Sequence, residues 1–392
     1  MTEERAETVV VGGGPAGLAV AACLRRAGRQ AVVLERGDRV GWSWSLHYDA
    51  LRLHTVRGAS GLPFAPLPRA AGRYPSRDDL LAYLEDYAER FRLDVRLGTA
   101  ATAVRRRDDG LWQTDAPPLR FVSRHLVLAT GANARPHLPD LPGRKGFRGR
   151  LLHSSQFRRG VDFRGQRVLV AGLGNSGADL AAELHRAGAT VALAVRGPVH
   201  ALPAEIWGIN WRTLHRLCPD LLLSVGARLG PRARETALQL SARAWEKIQR
   251  RTCGDLERLG LRLATAEHIA GRWRGLLPPV VHDQVFDLLR QGELALHPGL
   301  AALTATGARF EDGSEEPFDA VVLATGFRPA WGELLAPGVS DQGDQASLLA
   351  DGPWDRPHPT RPGLFLCGHP PELRHISRSA RRIARAISGD RG

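Results

Sequence analysis

Twice in 392 residues a β-branched run leads directly into G-x-G-x-x-G and then into an apolar helix, and no other feature constrains the fold as much. The first copy reads "TVVV" (8–11), "GGGPAG" (12–17), "LAVAACLRRAG", then a second strand "QAVVLE". The second reads "QRVLVAG", "GLGNSG" (172–177), "ADLAAELHRAG", then "TVALAVR". A lone glycine motif is weak evidence; strand before and helix after make it a βαβ nucleotide loop. Gly12 and Gly172 permit the turn. Gly14 and Gly174, followed by Pro15, Ala16 and by Asn175, Ser176, let the backbone approach a pyrophosphate. Gly17 and Gly177 let helix pack on strand, so phosphates sit at the helix N-terminus. The spacing between copies is far too long for a solenoid repeat.

Two further segments resemble each other. "HLVLATGANARP" (125–136) and "DAVVLATGFRP" (319–329) are apolar strands that end in Ala-Thr-Gly and a proline. One follows each glycine unit, which predicts an α/β protein of two dinucleotide-binding, Rossmann-like domains, the first discontinuous and the second inserted into it. The expected divisions are 1–157 and 293–392 for the first domain and 158–292 for the second. Residues 211–275, rich in Arg and Leu with Trp211, Trp245 and Trp273, read as a helical insertion in the second.

The copies differ at the end of the second strand. The first ends at Glu35, with Arg36 beside it; a carboxylate there accepts from ribose hydroxyls and repels a 2′-phosphate. The second ends at Arg196, whose guanidinium suits a 2′-phosphate. The first loop therefore fits FAD or NAD and the second fits NADPH, which together describe a flavoprotein oxidoreductase. The four cysteines (Cys23, Cys218, Cys253, Cys367) form no C-x-x-C pair, which argues against a dithiol centre, a zinc site and a disulfide framework. Molecular oxygen as acceptor needs no protein redox group.

Net charge is +13, carried almost wholly by arginine scattered through every segment, with no compact basic stripe. Nucleic acid is not an expected partner; anionic cofactors and substrates would be attracted. No apolar run approaches the ~20 residues of a membrane span, and "MTEERAE" has no signal-peptide pattern. The expectation is a cytoplasmic protein with no membrane partner.

Between the loops lies "GFRGRLLHSSQF" (146–157), too basic and Gly-punctuated for a core helix and without strand alternation. Its Phe147-x-Gly149-x3-His153-x3-Phe157 resembles the F-x-G-x3-H-x3-[YF] fingerprint of class B flavin-dependent monooxygenases. "SWSLHYDALRLHT", "LPFAPLPRAAGRYPSRDDLLAYLEDYAERF", "VLVAGLGNSGADLA" and "VRGPVHALPAEIWG" extend the resemblance to the YUCCA-type branch over nearly the whole chain. The resemblance implies FAD reduced by NADPH, a C4a-(hydro)peroxyflavin as oxygenating species, and O₂ with a small organic molecule as reactants. It places His153 on the linker between the domains, where it either couples NADP⁺ to the flavin pocket or only bonds backbone. It places Trp44, His54 and Thr55 on the segment passing the isoalloxazine and Asn133 beside the flavin. His153, Asn133 and His54 are thus the catalytic candidates. Further cofactor contacts are expected at Ala101, Ala129, Thr130, Gly131, Thr325, Gly326 and Gly368. Ser154 and Ser155 face the NADP⁺ side or cap a helix.

Two departures bear on substrate. Amine- and sulfide-oxidising relatives carry Asn where this chain has Val56, as the YUCCA branch also lacks it. The C-terminal element, expected as G-x-S-x-D-A, offers His375, Ser377 and Ser379 without that Gly and Asp. The implied activity is oxygenation of a carbonyl compound, most simply oxidative decarboxylation of a 2-oxo acid. The alternatives are N- or S-oxygenation, an uncoupled NADPH oxidase, or a degenerate flavoprotein.

Overall fold

The computed structural model describes residues 1–217, 229–274, 279–335, 358, 361–368 and 373–389. Cys218 lies outside them, as do 218–228 and 275 of the helical insertion. The chain forms two compact units. One comprises residues 1–47, 55–136 and 327–392; the other comprises 48–54 and 137–326.

The first unit is a seven-stranded sheet. Strands β1 (Thr2–Val11), β2 (Ala31–Leu34) and β3 (Asp94–Arg96) run parallel, followed by a meander of β4 (Ala103–Arg106), β5 (Trp112–Ala116) and β6 (Leu119–Leu128). The order is β3-β2-β1-β6-β5-β4, with Leu364–Leu366 joining β6 in parallel. Val9, Val10 and Val11 are buried because this stretch of β1 is flanked on both sides and covered, the usual lot of a central parallel strand. Helix α1 (Pro15–Arg26) keeps Pro15 through Leu24 buried, so its sequence is apolar all round rather than amphipathic. A short α2 (Trp42–Ser45) follows Gly41, and α3 (Arg77–Arg90) starts at a capping box between Ser76 and Asp79.

The second unit holds a five-stranded, wholly parallel sheet: β7 (Arg150–His153), β8 (Arg167–Ala171), β9 (Thr190–Ala194), β10 (Leu294–His297) and β11 (Ala320–Leu323). The order is β10-β9-β8-β11-β7. Helix α4 (Asn175–Arg186) follows β8, and helices Trp211–Leu217, Pro231–Cys253 and Ala266–Arg274 form the insertion.

This corrects two readings from sequence. The divisions fall at 136/137 and 326/327, not at 157/158 and 292/293, because β7, β10 and β11 all pair within the second sheet. The 146–157 stretch is also not a bare linker. Residues 150–153 are an edge strand paired on one side with β11, which explains the weak alternation. Phe157 is fully buried, stacked on Phe163 at 5.5 Å.

Candidate functional site

The two glycine loops share their backbone logic residue for residue. Gly12 has φ +114°, and a Cβ on it would lie 2.4 Å from the carbonyl oxygen of Ala129, at the end of β6. Gly172 has φ +109°, with its Cβ 2.6 Å from the carbonyl oxygen of Ala324, just past β11. A Cβ on Gly17 would strike the Gly12 carbonyl at 1.9 Å, and one on Gly177 the Gly172 carbonyl at 2.0 Å. These four glycines are required by the protein's own packing. Gly14 and Gly174 differ. Both have negative φ, and a Cβ on either meets nothing within 4 Å. Open space over the second glycine, at the start of a helix, is the cradle a pyrophosphate needs.

In the first unit, Glu35 is buried just past β2. Its carboxylate accepts from the N–H groups of Gly13 at 2.8 Å and Gly37 at 2.9 Å, which fixes it at the mouth of the loop. Arg36 beside it is exposed. Thr130, next to Ala129, keeps a buried hydroxyl with no hydrogen-bond partner among the described residues. Gly131 and Gly368 have φ +82° and +97°, and a Cβ on Gly368 would lie 3.1 Å from Cβ of Ala16. Trp44 lies on α2, its ring 5.4 Å from that of His47. Thr55 bonds Ser60, whose hydroxyl also donates to the carbonyl of Val56. Ala101 packs on the core beside β4, and Asn133 is exposed in the turn after β6. In the C-terminal helix, Leu373–Gly389, the Ser377 hydroxyl donates to the Gly61 carbonyl at 3.1 Å.

In the second unit, Arg196 is exposed two residues past β9, and its carbonyl accepts from the Arg262 guanidinium. Arg262, unseen in the sequence reading, thus lies against the backbone of Arg196. Asn175 has its side chain engaged: it donates to the carbonyl of Pro279 and accepts from the N–H of Val281. It therefore fixes the 279–281 segment.

His153 is 2 % exposed, with both ring nitrogens bound. Nε2 donates to the Gly326 carbonyl at 3.0 Å, and Nδ1 accepts from the N–H of Ser155 at 3.1 Å. Burial, with His137 nearby, holds its pKa below the ordinary value against the pull of the Gly326 carbonyl, so the ring is neutral. The Gly326 carbonyl also accepts from the N–H of His137, while the Thr325 hydroxyl donates to the carbonyl of His137. His153 therefore holds the Ala-Thr-Gly turn after β11. A ring bound this way has no nitrogen left for proton transfer.

The most charged constellation was only one-quarter legible. Asp179, one turn into α4 and 17 % exposed, accepts from His54 Nε2 at 3.2 Å, from His282 Nε2 at 3.1 Å and from the Tyr48 hydroxyl. His282 caps Asp283–Arg290 by accepting from the N–H of Val285 at its Nδ1, so its Nε2 carries the proton. Burial raises the Asp179 pKa, but the two histidines outweigh it and hold the carboxylate well below its usual range. For His54, burial lowers the pKa, yet the hydrogen bond and charge of Asp179, with the Val281 carbonyl, raise it overall. Acceptors from Asp179 and Val281 around the ring favour the imidazolium. The available signal for Asp179 was an acid two residues past Gly177, on a helix flank that should pack inward.

Among the described residues no cluster of His, Cys, Asp or Glu is arranged to hold a metal, and no helix is long and apolar enough to cross a membrane.

Two glycine-fingerprint units, one interrupted by the other, define a two-domain dinucleotide-binding oxidoreductase. Residues 9–207 match the family described as "Pyridine nucleotide-disulphide oxidoreductase". The chain is 34% identical over 335 residues to the "Probable indole-3-pyruvate monooxygenase YUCCA1" of Arabidopsis thaliana, covering 82% of this chain and 76% of that protein. It is 34% identical over 385 residues to the "Indole-3-pyruvate monooxygenase YUCCA1" of Oryza sativa subsp. japonica, covering 93% and 88%. The fold matches that of a flavin-containing monooxygenase from Stenotrophomonas maltophilia, with TM-score 0.72, 24% identity and 99% of each chain covered. The chain belongs to the YUCCA-type branch of the flavin-dependent monooxygenases.

Proposed function

We propose that the first unit binds FAD and the second NADPH, and that the protein, a cytoplasmic enzyme, uses O₂ to convert an aryl 2-oxo acid to the one-carbon-shorter acid. Per turnover, one oxygen atom enters the new carboxyl group and the other leaves as water, CO₂ is released, and NADPH supplies the two electrons. Bound flavin would take the hydride and activate O₂. The protein's residues bind and orient: Gly14 and Gly174 open the two cradles, and Glu35 faces one ribose while Arg196 faces the other. The observation that carries the reading is this pairing, one carboxylate fixed by the Gly13 and Gly37 N–H groups and one exposed guanidinium on Arg196, whose backbone carbonyl is held by Arg262. Support for the substrate class comes from the names of the relatives, indole-3-pyruvate monooxygenases. Val56 supports it too, since it brings no side-chain donor where amine-oxidising relatives have Asn. The test compares kcat/KM for phenylpyruvate or indole-3-pyruvate with that for a matched aryl amine, scoring oxygenated product. Efficient N-oxygenation with no turnover of any 2-oxo acid would overturn the substrate class.

Arg196→Ala should raise KM for NADPH about 10- to 100-fold and leave that for NADH nearly unchanged, the loss of a charge-assisted phosphate contact of roughly 1.5–3 kcal/mol. Equal losses for both cofactors would remove the 2′-phosphate role.

His153→Ala removes one of the two donors to the Gly326 carbonyl and frees the Ser155 N–H, rather than removing a base. Flavin reduction by NADPH should stay near wild type while hydrogen peroxide per turnover rises, with about 1–3 kcal/mol lost from stability. Wild-type coupling in that variant would confine His153 to holding the fold.

A further inference from the structure

At the far end of α1 from its glycine loop lies a cavity of about 380 Å³ lined by Arg25, Arg26, Phe64, Arg90, Phe91 and Arg92. Arg25 and Arg26 form the last turn of α1, and Arg90 ends α3, with Phe91 and Arg92 directly after it. A fifth guanidinium, Arg381 of the C-terminal helix, lies 5.4 Å from the centre of the Phe64 ring, and that of Arg26 lies 5.2 Å from the same ring. Arg25, Arg26, Arg90 and Arg92 make no ion pair with a carboxylate among the described residues. Arg29 and Arg39, by contrast, pair with Glu7 and Glu85, so what marks these four is that they converge on one cavity.

The backbone adds an independent observation. Among the described residues three non-glycine positions have positive φ, and two of them, Phe64 (+68°) and Arg92 (+47°), line this cavity. A left-handed phenylalanine is a costly conformation, and here it leaves Phe64 42% exposed. Helix dipoles favour cations at the ends of α1 and α3. They account neither for Arg92, beyond the helix, nor for two rings, Phe64 and Phe91, with centroids 6.2 Å apart at the same place.

We propose that this cavity binds a nucleoside di- or triphosphate, with its base against Phe64 and Phe91 and its phosphates among Arg25, Arg26, Arg90 and Arg92. Four unpaired guanidiniums call for several negative charges on one ligand, which a monocarboxylate does not carry and a polyphosphate does. Phe64, with Phe91 tilted 57° to it, supplies an apolar ring surface on which a base stacks. The site is separate from the first dinucleotide loop: α1 has 12 residues, so its ends are about 18 Å apart at 1.5 Å per residue.

The test is calorimetric titration of the FAD-loaded enzyme, saturated with NADP⁺ in about 0.15 M salt, with ATP, ADP, tripolyphosphate and phenylacetate. The expected result is saturable 1:1 binding of ATP or ADP, about 10-fold tighter than tripolyphosphate, with phenylacetate far weaker. Arg26→Gln combined with Arg90→Gln should weaken nucleotide binding about 30-fold or more while flavin content and NADPH reduction stay unchanged. Arg92→Gly relieves the left-handed strain, so it should fold at least as well as wild type and still weaken binding about 5- to 10-fold. The proposal is overturned by no saturable nucleotide binding up to about 1 mM, by tripolyphosphate binding as tightly as ATP, or by nucleotide binding that survives the double substitution.

Discussion

Gly14→Val is expected to give a folded protein that has lost its flavin, whereas Gly12→Val is expected to give little folded protein at all. Both glycines belong to one motif, and the structure separates their roles. Gly12 has φ +114°, with a would-be Cβ 2.4 Å from the Ala129 carbonyl oxygen, so any side chain collides with the end of β6. A β-branched residue is also among the worst choices for that backbone conformation. Gly14 has φ −84°, which any residue adopts, and its Cβ would enter open space. Valine there leaves the protein's own contacts intact and fills the volume that the proposed FAD pyrophosphate needs, so flavin occupancy should fall below about a tenth. The 450 nm absorbance per protein decides it, read beside circular dichroism and a melting curve. Stoichiometric flavin in folded Gly14→Val would remove the first loop as the FAD site. Gly174→Val should behave in parallel, folded and yellow but not reduced by NADPH.

These loops were legible because the pattern that marks them is local, even though Gly12 and Gly172 also face the distant Ala129 and Ala324 carbonyls. A turn, a close approach and a helix start all lie within six residues, and each leaves a glycine behind. Glu35 and Arg196 were legible for the same reason, each at the end of the next strand. What stayed hidden depends on residues distant in sequence. Nothing in "GRLLH" announces that 150–153 pairs with 320–323, because a parallel edge strand needs only one partner and that partner comes about 170 residues later. The second unit therefore begins and ends elsewhere than its sequence pattern suggested. Arg262 meets the Arg196 carbonyl across 66 positions, and His282 meets Asp179 across about a hundred. His54 was singled out by resemblance, yet its partner on α4 was invisible until the fold placed it. His153 shows the opposite limit. The motif marked the residue, but only the structure shows both ring nitrogens already bound.

Asp179→Asn is expected to be the most destabilising single polar change in the second unit, and to change how stability depends on pH. One carboxylate serves three donors from separate parts of the chain: Tyr48 and His54 from 48–54, and His282 at the start of Asp283–Arg290. An amide offers one oxygen, and its NH₂ group opposes at least one N–H or O–H donor. Breaking a buried ion pair on one side costs about 3–5 kcal/mol, which for a unit of this size lowers Tm by about 10 °C. The pH dependence follows from the two shifts. The Asp179 pKa is lowered by folding, so its contribution is present above the unfolded carboxylate value near 3.9 and is lost as pH falls through the folded value. The His54 pKa is raised, so its contribution is fully present below the unfolded value near 6.5 and is lost as pH rises through the folded one. Wild-type Tm should therefore fall off on both sides of a plateau, and Asp179→Asn should lie lower with a flatter profile. His54→Ala should lose only the alkaline edge, since His282 and Tyr48 still hold the carboxylate. Because Asp179 lies on the helix that opens with Gly174 and Asn175, loosening it should also raise KM for NADPH more than it lowers the rate of flavin reduction at saturation. Melting curves from pH 2 to 9 for the three proteins decide the matter. An Asp179→Asn profile that overlays wild type would show that the carboxylate does not hold these elements together.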